Sequence, residues 1–454
     1  MNYFKTIKTR KTIYLTIATM LMWVGSNKAQ NITNNDQTRI TAFVNVHVLT
    51  MSDSVPRLSQ TVIIENGKIA EIGASGDIQI PENALVIDGQ NQKFLIPGLT
   101  DTHVHLHRKK SREWIRSFVH SGVTTVFNLA GRRKILKMRD DIRAHKLIGP
   151  DIYTAGYGGV MRALNRSKFK EVTLEKIEKA ILKQKKQGYD MLKIANQLTI
   201  EQYAHILKVA KREGMHVTGH IPRNLKADDA LRVGQNSFAH TEEFIYTKFT
   251  KFDEKEVVEF AKKVAKQKSW LIANIIAYEK IRETWGRPKV TDSILKLPET
   301  KRLHPSIRKL YAEQWYGSRD VKSRWYVEKV FKFYFPIVRH FHQAGVKILV
   351  GTDTAFPLTP PGESVIDEIK HLTKAGLSPY ESLKAATANP GEYIKHFINP
   401  KAKFGQIKEN YKAHLVLLDT NPLNDLDTLK KPVGVMLGGK WYNKEALDKM
   451  VQWD

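Results

Sequence analysis

Apolar and polar positions change rhythm twice along this chain, and each change marks an expected boundary. From residue 39 to 98 they alternate in short bursts, "ITAFVNVHVLT", "TVIIENGKIAEIG" and "ALVIDGQNQKFLI", broken by turn residues. Alternation of period two puts one face of each strand inside. The Asn-Gly of "ENGKIAEIG" supplies hairpin chemistry. The same texture returns in "AHLVLLD" and "PVGVMLGGKWYN". Two strand-rich ends predict one small β-sandwich domain assembled from residues 39–98 and 399–454.

The middle, residues 99–398, has another rhythm. Short apolar runs alternate with charged segments of helical period, the pattern of parallel βα units. Eight strands are expected: "FLIPGLTDTHVHLH", "VTTVFNLA", "DIYTAG", "YDMLKIA", "HVTGHI", "SFAHTE", "SWLIANI" and "KILVGTDT". "KSREWIRSFVHSG", "TIEQYAHILKVAKREG", "EVVEFAKKVAKQKS" and "ESVIDEIKHLTKAG" supply helices between or after them. Eight such units predict an α/β fold, a (β/α)8 TIM-like barrel, with a doubly wound open sheet as the runner-up. Residues 281–338 are longer than one helix requires and rich in Trp, Tyr, Lys and Arg; they are expected to cover the site as a lid, with packing as an extended helical layer as the alternative.

The first residues read differently again. "MNYFKTIKTRK" is basic, "TIYLTIATMLMWVGS" is apolar but short, and Ala29 in "NKAQ" offers a small residue for cleavage. This is the layout of a signal peptide over residues 1–29, too short in its apolar run for a comfortable membrane span. Export to a periplasmic or extracellular space follows as an expectation.

Composition adds constraints. A content of 42% hydrophobic and 26% charged residues suits a soluble globular protein. With no cysteine, disulfides and thiolate ligands are excluded, so a metal site must use His, Asp, Glu or Lys. The net charge is +27; removing Lys5, Lys8, Arg10, Lys11 and Lys28 with the leader leaves +22. Much of that excess lies in helix-face lysines ("KAILKQKKQG", "AKKVAKQKS"), and no nucleic-acid recognition motif accompanies it. No nucleic-acid partner is expected, and self-association is left open.

In a barrel of this kind, chemistry gathers at the C-terminal ends of the strands. Unusual polar residues stand there: His103 and His105 in the first strand, Lys193 in the fourth, His220 in the fifth, His240 in the sixth and Asp353 in the eighth. On an extended strand Asp101, His103 and His105 share one face. A lone histidine of this type is more often a hydrogen-bonded core residue than a ligand. Asp353 alone could cap a helix, and Lys193 alone could pair with Asp190. Six polar groups ending apolar runs in different units are costly to bury unless paired or metal-bound.

Together, "PGLTDTHVHLH", the internal lysine, the two later histidines and "GTDT" resemble the amidohydrolase superfamily of metal-dependent hydrolases. "GLSPYESLKAATANPGEYI" and "FGQIKENYKAHLVLLDTNPL" resemble its closing helices and its return to the small domain. The likeness runs over roughly residues 39 to 440 and is nearest the imidazolonepropionase and prolidase-like branch. One departure stands out. Family members usually carry Gly-Lys-x-Ala-Asp-Leu where this chain has "NYKAHL", so His414 replaces an aspartate and local packing there is in question.

The resemblance implies roles. His103, His105 and Asp353 would hold one divalent metal, His220 and His240 a second, and Lys193, carboxylated to a carbamate, would bridge them. Zinc suits the nitrogen and oxygen donors best; a single-metal site is the competing form. Hydrolysis of an amide or peptide-like C–N bond by metal-activated hydroxide would follow, with Asp353 as proton carrier and His240 beside it. The expected substrate is a small molecule or dipeptide with a free carboxylate. A cyclic amide or a heterocycle deamination comes next, and a non-catalytic binding protein on the same scaffold is the alternative of another class. Arg162, Arg223 and Tyr246, together with Arg132 and Arg133, are candidates for gripping the substrate, since a guanidinium forms a bidentate fork with a carboxylate.

Overall fold

The computed structural model describes residues 40–157, 164, 169–313, 316–356 and 358–453. The leader expected over residues 1–29 lies outside them, as does Arg162. Among the described residues no helix is long and apolar enough to cross a membrane.

The two strand-rich ends form one mixed sheet. Its strands are β1 (Thr41–Val48), β2 (Arg57–Glu65), β3 (Lys68–Ala74), β4 (Leu85–Asp88), β5 (Phe94–Pro97), β14 (Leu415–Leu418), β15 (Gly434–Leu437) and β16 (Lys440–Asn443). The order is β16-β15-β14-β5-β1-β2-β3, with β4 also paired to β1. The expected hairpin joins β2 to β3, with Glu65 opposite Lys68. Asn66 and Gly67 turn it with φ of 51° and 73°, the left-handed conformation a tight hairpin needs. The seam between the chain's ends is β5 against β14, where Ile96 faces Val416. Phe43, Val46, Val62, Leu95, Leu415 and Met436 bury the inward face.

The eight expected parallel strands are all present, as β6 (Leu99–Val104), β7 (Val123–Gly131), β8 (Asp151–Gly156), β9 (Met191–Ile194), β10 (His216–Gly219), β11 (Ser237–Ala239), β12 (Trp270–Ile272) and β13 (Lys347–Leu349). They run in two arcs, β10-β9-β8-β7-β6 and β11-β12-β13. The arcs meet along both edges. Val104 bridges Thr354 in parallel, and the Thr102 N–H donates to Val350 O at 2.9 Å. On the other side Thr218 Oγ1 and Ser237 Oγ hydrogen-bond at 2.8 Å.

The run read as one first strand is two. Pro97 and Gly98 break it, so that β5 belongs to the mixed sheet and β6 to the parallel set. A side chain at Gly98 would place its Cβ 2.2 Å from Thr124 Oγ1, so the chain can cross between sheets here only as glycine.

Helices cover the outer face of the parallel strands, and their lysines point away from them. The helix Glu254–Lys266 buries Val257, Phe260, Ala261 and Val264, spaced three and four apart, while Lys262, Lys263 and Lys266 are exposed. Full burial of a Val or Phe side chain contributes roughly 1.5–3 kcal/mol. The lysine runs are therefore solvated helix faces.

Candidate metal and catalytic site

Strand ends deliver the site, and they do so through unusual backbone. His240, Asn274 and Asp353 follow β11, β12 and β13 with φ of 72°, 56° and 60°. None is glycine. Left-handed conformations at such residues cost free energy and cluster where geometry serves function.

Asp353 sits at the centre. Its Oδ1 lies 2.7 Å from His105 Nε2 and 3.3 Å from His103 Nε2. Neither contact is aligned as a hydrogen bond, so this buried oxygen has no partner, and His105 Nδ1 has none either. Lys193 Nζ is 3.0 Å from His103 Nε2. The His103 and His240 rings lie 4.6 Å apart, and His240 stacks on His220 at 4.9 Å and 6°. All six expected residues converge.

Electrostatics fit a cation. Burial alone would raise the Asp353 carboxyl, but His103 and His105 hold it well below the usual carboxylate range. Burial, with Lys193 nearby, keeps His103 neutral, and burial likewise lowers His105, His220 and His240. The Lys193 amine is pushed down by burial to about 8, against the pull of Asp353 and Glu243. Neutral imidazoles and an ionised carboxylate are the donor state a divalent ion requires. Ligating atoms of His103, His240 and Asp353 lie within 4.8 Å of one another, close enough for one ion. Together with the unpartnered Asp353 oxygen, they fit such a group.

The second layer of the site was not read from the sequence. Asn274 Oδ1 is 3.1 Å from His103 Nδ1. Glu243 Oε1 is 2.9 Å from His220 Nδ1, and Glu242 Oε1 is 3.5 Å from His240 Nδ1. Each oxygen stands at a ring Nδ1, which leaves the Nε2 atoms for the site; metal-binding histidines are oriented in this way. The adjacent glutamates differ in charge. Hydrogen bonds from His220 and Arg223 outweigh burial and keep Glu243 ionised, whereas burial and the Glu243 charge push Glu242 up. Tyr334 hydrogen-bonds to Glu242. Asp101, on the His103 side of β6, serves as a brace: its Oδ1 accepts from the His103 N–H at 3.1 Å and the Thr352 N–H at 3.0 Å. The signal for Asn274 was present in "SWLIANI", a polar residue ending an apolar run.

The substrate-side candidates fare unequally. Tyr246 and Arg223 line the cavity above the site. The Arg223 fork, expected to meet a substrate carboxylate, is instead committed to Glu243, with Nη2 at 2.9 Å and Nε at 3.2 Å from its two oxygens. Its guanidinium lies 4.8 Å from the centre of the Tyr246 ring. Arg132 and Arg133 are exposed and absent from the cavity wall. His107, two residues past His105, also lines the cavity and stacks on Tyr157 at 6.4 Å. Ile281, Trp285, Tyr316 and Tyr326 of the expected covering segment line it too. His414 packs cleanly in place of the usual aspartate, its Nε2 3.0 Å from Asp151 Oδ2 and its Nδ1 accepting the Gly438 N–H at 3.0 Å.

Parallel strands whose ends gather histidines, a lysine and an aspartate around one cavity define the architecture of a hydrolase with a candidate metal site. The chain matches the model of the amidohydrolase family over residues 94–442, and it belongs to that family. It is 36% identical to ochratoxinase from Aspergillus niger over 104 residues, 22% of this chain and 20% of that protein. It is 36% identical to enamidase from Eubacterium barkeri over 76 residues, 15% of this chain and 19% of that one. The matched stretches thus span about a fifth of these relatives' own length. The solved structure of Aspergillus niger ochratoxinase aligns with a TM-score of 0.65 at 18% identity, covering 90% of this chain and 96% of that one. A Xaa-Pro dipeptidase solved with methionine in its active site aligns at 0.67 and 18%, covering 89% and 100%. At such identity the likeness is one of fold.

Proposed function

We propose that this chain is an exported, metal-dependent hydrolase of carbon–nitrogen bonds in small amides or dipeptide-like molecules. In this reading the two arcs close as a (β/α)8 barrel over residues 99–398, and residues 39–98 and 399–454 form the composite β-sandwich domain. The observation that carries it is the convergence of His103, His105, Lys193, His220, His240 and Asp353, drawn from five strand ends, around a buried carboxylate oxygen without a hydrogen bond.

His103, His105 and Asp353 would hold one divalent ion, with zinc the best match to the donors. His220 and His240 would hold a second, and Lys193, as a carbamate, would join the two. An ammonium has no lone pair, so the lysine needs that modification to be a ligand. When bound, such ions polarise the scissile carbonyl and lower the pKa of water towards neutrality. Asp353 Oδ1 takes the proton of the attacking water and delivers it to the leaving nitrogen. Water thereby adds across the C–N bond, leaving an acid and an amine. Asn274, Glu242 and Glu243 hold the imidazoles in place, and His240 with its stacked partner walls the reacting centre.

Metal analysis of the purified full chain, with activity on a panel of dipeptides, N-acyl amino acids and lactams, tests the proposal. Turnover that a chelator abolishes is expected. A metal-free chain inert towards every member would favour the binding-protein alternative.

A further inference from the structure

Resting on the hydrolase reading above, we infer that the substrate is an amide carrying an aromatic ring beside the scissile bond and a carboxylate that meets Arg319. The cavity over the site measures about 740 Å³, within the roughly 300–1,000 Å³ typical of small-molecule pockets. Aromatic side chains make up much of its wall. Trp285 stacks on Tyr316 with centroids 5.7 Å apart and planes 26° apart, and Tyr316 meets Phe356 at 5.7 Å. This row stands next to Asp353 along the chain: the Phe356 N–H donates to the Asp353 main-chain carbonyl at 2.7 Å, closing the turn that carries the aspartate. A second pair, His107 and Tyr157, continues from His105, whose ring is 5.5 Å from that of His107.

These rings are not fully enclosed, although Trp285 also packs against the main core. Trp285, Tyr316, Phe356 and Tyr157 are only half-buried, unlike the fully buried Phe118, Phe244 and Phe260. Their uncovered faces line the cavity, and a flat ring would cover them with stacking geometry. Two small aliphatic residues would leave them wet. Charge points the same way. Arg319 lines the cavity with its guanidinium 5.8 Å from the Trp285 ring. No carboxylate among the described residues forms an ion pair with it, whereas Arg223 is committed to Glu243. Arg319 is thus the cavity guanidinium available to fork a carboxylate.

The test compares N-benzoyl-L-alanine and N-acetyl-L-phenylalanine with N-acetyl-L-alanine, and each acid with its carboxamide. One of the two aryl amides is expected to exceed N-acetyl-L-alanine in kcat/KM by about tenfold or more, the range that ring contacts and pocket filling supply. Tyr316→Ala and Trp285→Ala should collapse that ratio towards one, while Trp285→Phe keeps most of it. Arg319→Gln should erase the preference for the acid over the carboxamide. Equal kcat/KM for aryl and methyl amides would overturn the inference, as would an acid preference untouched by Arg319→Gln. Calorimetry on the Asp353→Asn protein separates this from the hydrolase reading. If the parent protein cleaves no amide yet an aryl amide binds the Asp353→Asn protein about tenfold tighter than N-acetyl-L-alanine, the reaction is wrong and the aryl pocket stands. Equal binding sinks the pocket.

Discussion

Asn274 Oδ1 lies 3.1 Å from His103 Nδ1 and 3.3 Å from the backbone N of His240. A backbone N–H only donates, so the atom facing it is the amide oxygen, and His103 must carry its proton on Nδ1. Its Nε2 lone pair is thereby turned to Asp353 and Lys193. Glu368 locks the arrangement by accepting the Ile275 and Ile276 N–H groups at 2.9 and 2.7 Å, directly after Asn274. Asn274→Gly keeps the left-handed backbone accessible while removing the acceptor. It should lower kcat/KM or metal affinity about 10–100-fold, with Asn274→Asp, which keeps an acceptor oxygen, losing less. Steady-state kinetics and metal content per chain read both, and full activity in Asn274→Gly would remove the orienting role.

Asp353 is testable without wrecking the fold. Its φ of 60° is one that asparagine tolerates well, so Asp353→Asn should preserve the turn after β13. Losing a positioned proton carrier should cut turnover by roughly 10²–10⁴-fold. Circular dichroism would show the variant folded. Turnover close to that of the parent would mean that the proton travels by another group.

Metal removal gives an independent reading. Ions that bind only the folded chain stabilise it by mass action, so chelation should lower Tm as well as abolish turnover. If Lys193 is a carbamate, reactivation should need bicarbonate in addition to the divalent ion. Lys193→Met should bind fewer than two ions per chain by elemental analysis. Two ions retained in that variant would exclude a bridging role for the lysine.

The parts of the site visible in the sequence share one property: an ionisable group ending an apolar strand. Burial there is costly, so His103, Lys193, His220, His240 and Asp353 declared themselves. Asn274 ends a strand in the same way, but its neutral amide carries no such penalty. Glu242 fell at the end of the expected strand "SFAHTE" and Glu243 just past it, and nothing local says that a carboxylate there will reach a histidine 23 residues earlier. Arg223 failed for that reason; its partner comes from the next βα unit. The eight parallel strands were legible from apolar runs. The left-handed turns at His240, Asn274 and Asp353 were not, because no glycine marks them.

A histidine outside the site should shape stability against pH. His216 opens β10 in a buried position, its ring 4.0 Å from Phe397 at 23° and its Nε2 2.6 Å from Tyr393 Oη. Burial, with a smaller push from His396, lowers its pKa to about 3 from the ordinary 6.5. Between those values the unfolded chain binds a proton that the folded chain refuses. Stability therefore falls with pH over this window, by up to roughly 1.4 kcal/mol per pH unit from this group. His216→Gln removes the titration while Tyr393 Oη keeps its 2.8 Å hydrogen bond to Ser237. Although less stable at pH 7, the variant should lose roughly 1.5 kcal/mol less than the parent between pH 6.5 and 5. Urea unfolding at the two pH values measures this directly. Because the site histidines titrate in both proteins, the difference isolates His216; identical pH slopes would show that its ring is protonated as readily in the folded chain as in the unfolded one.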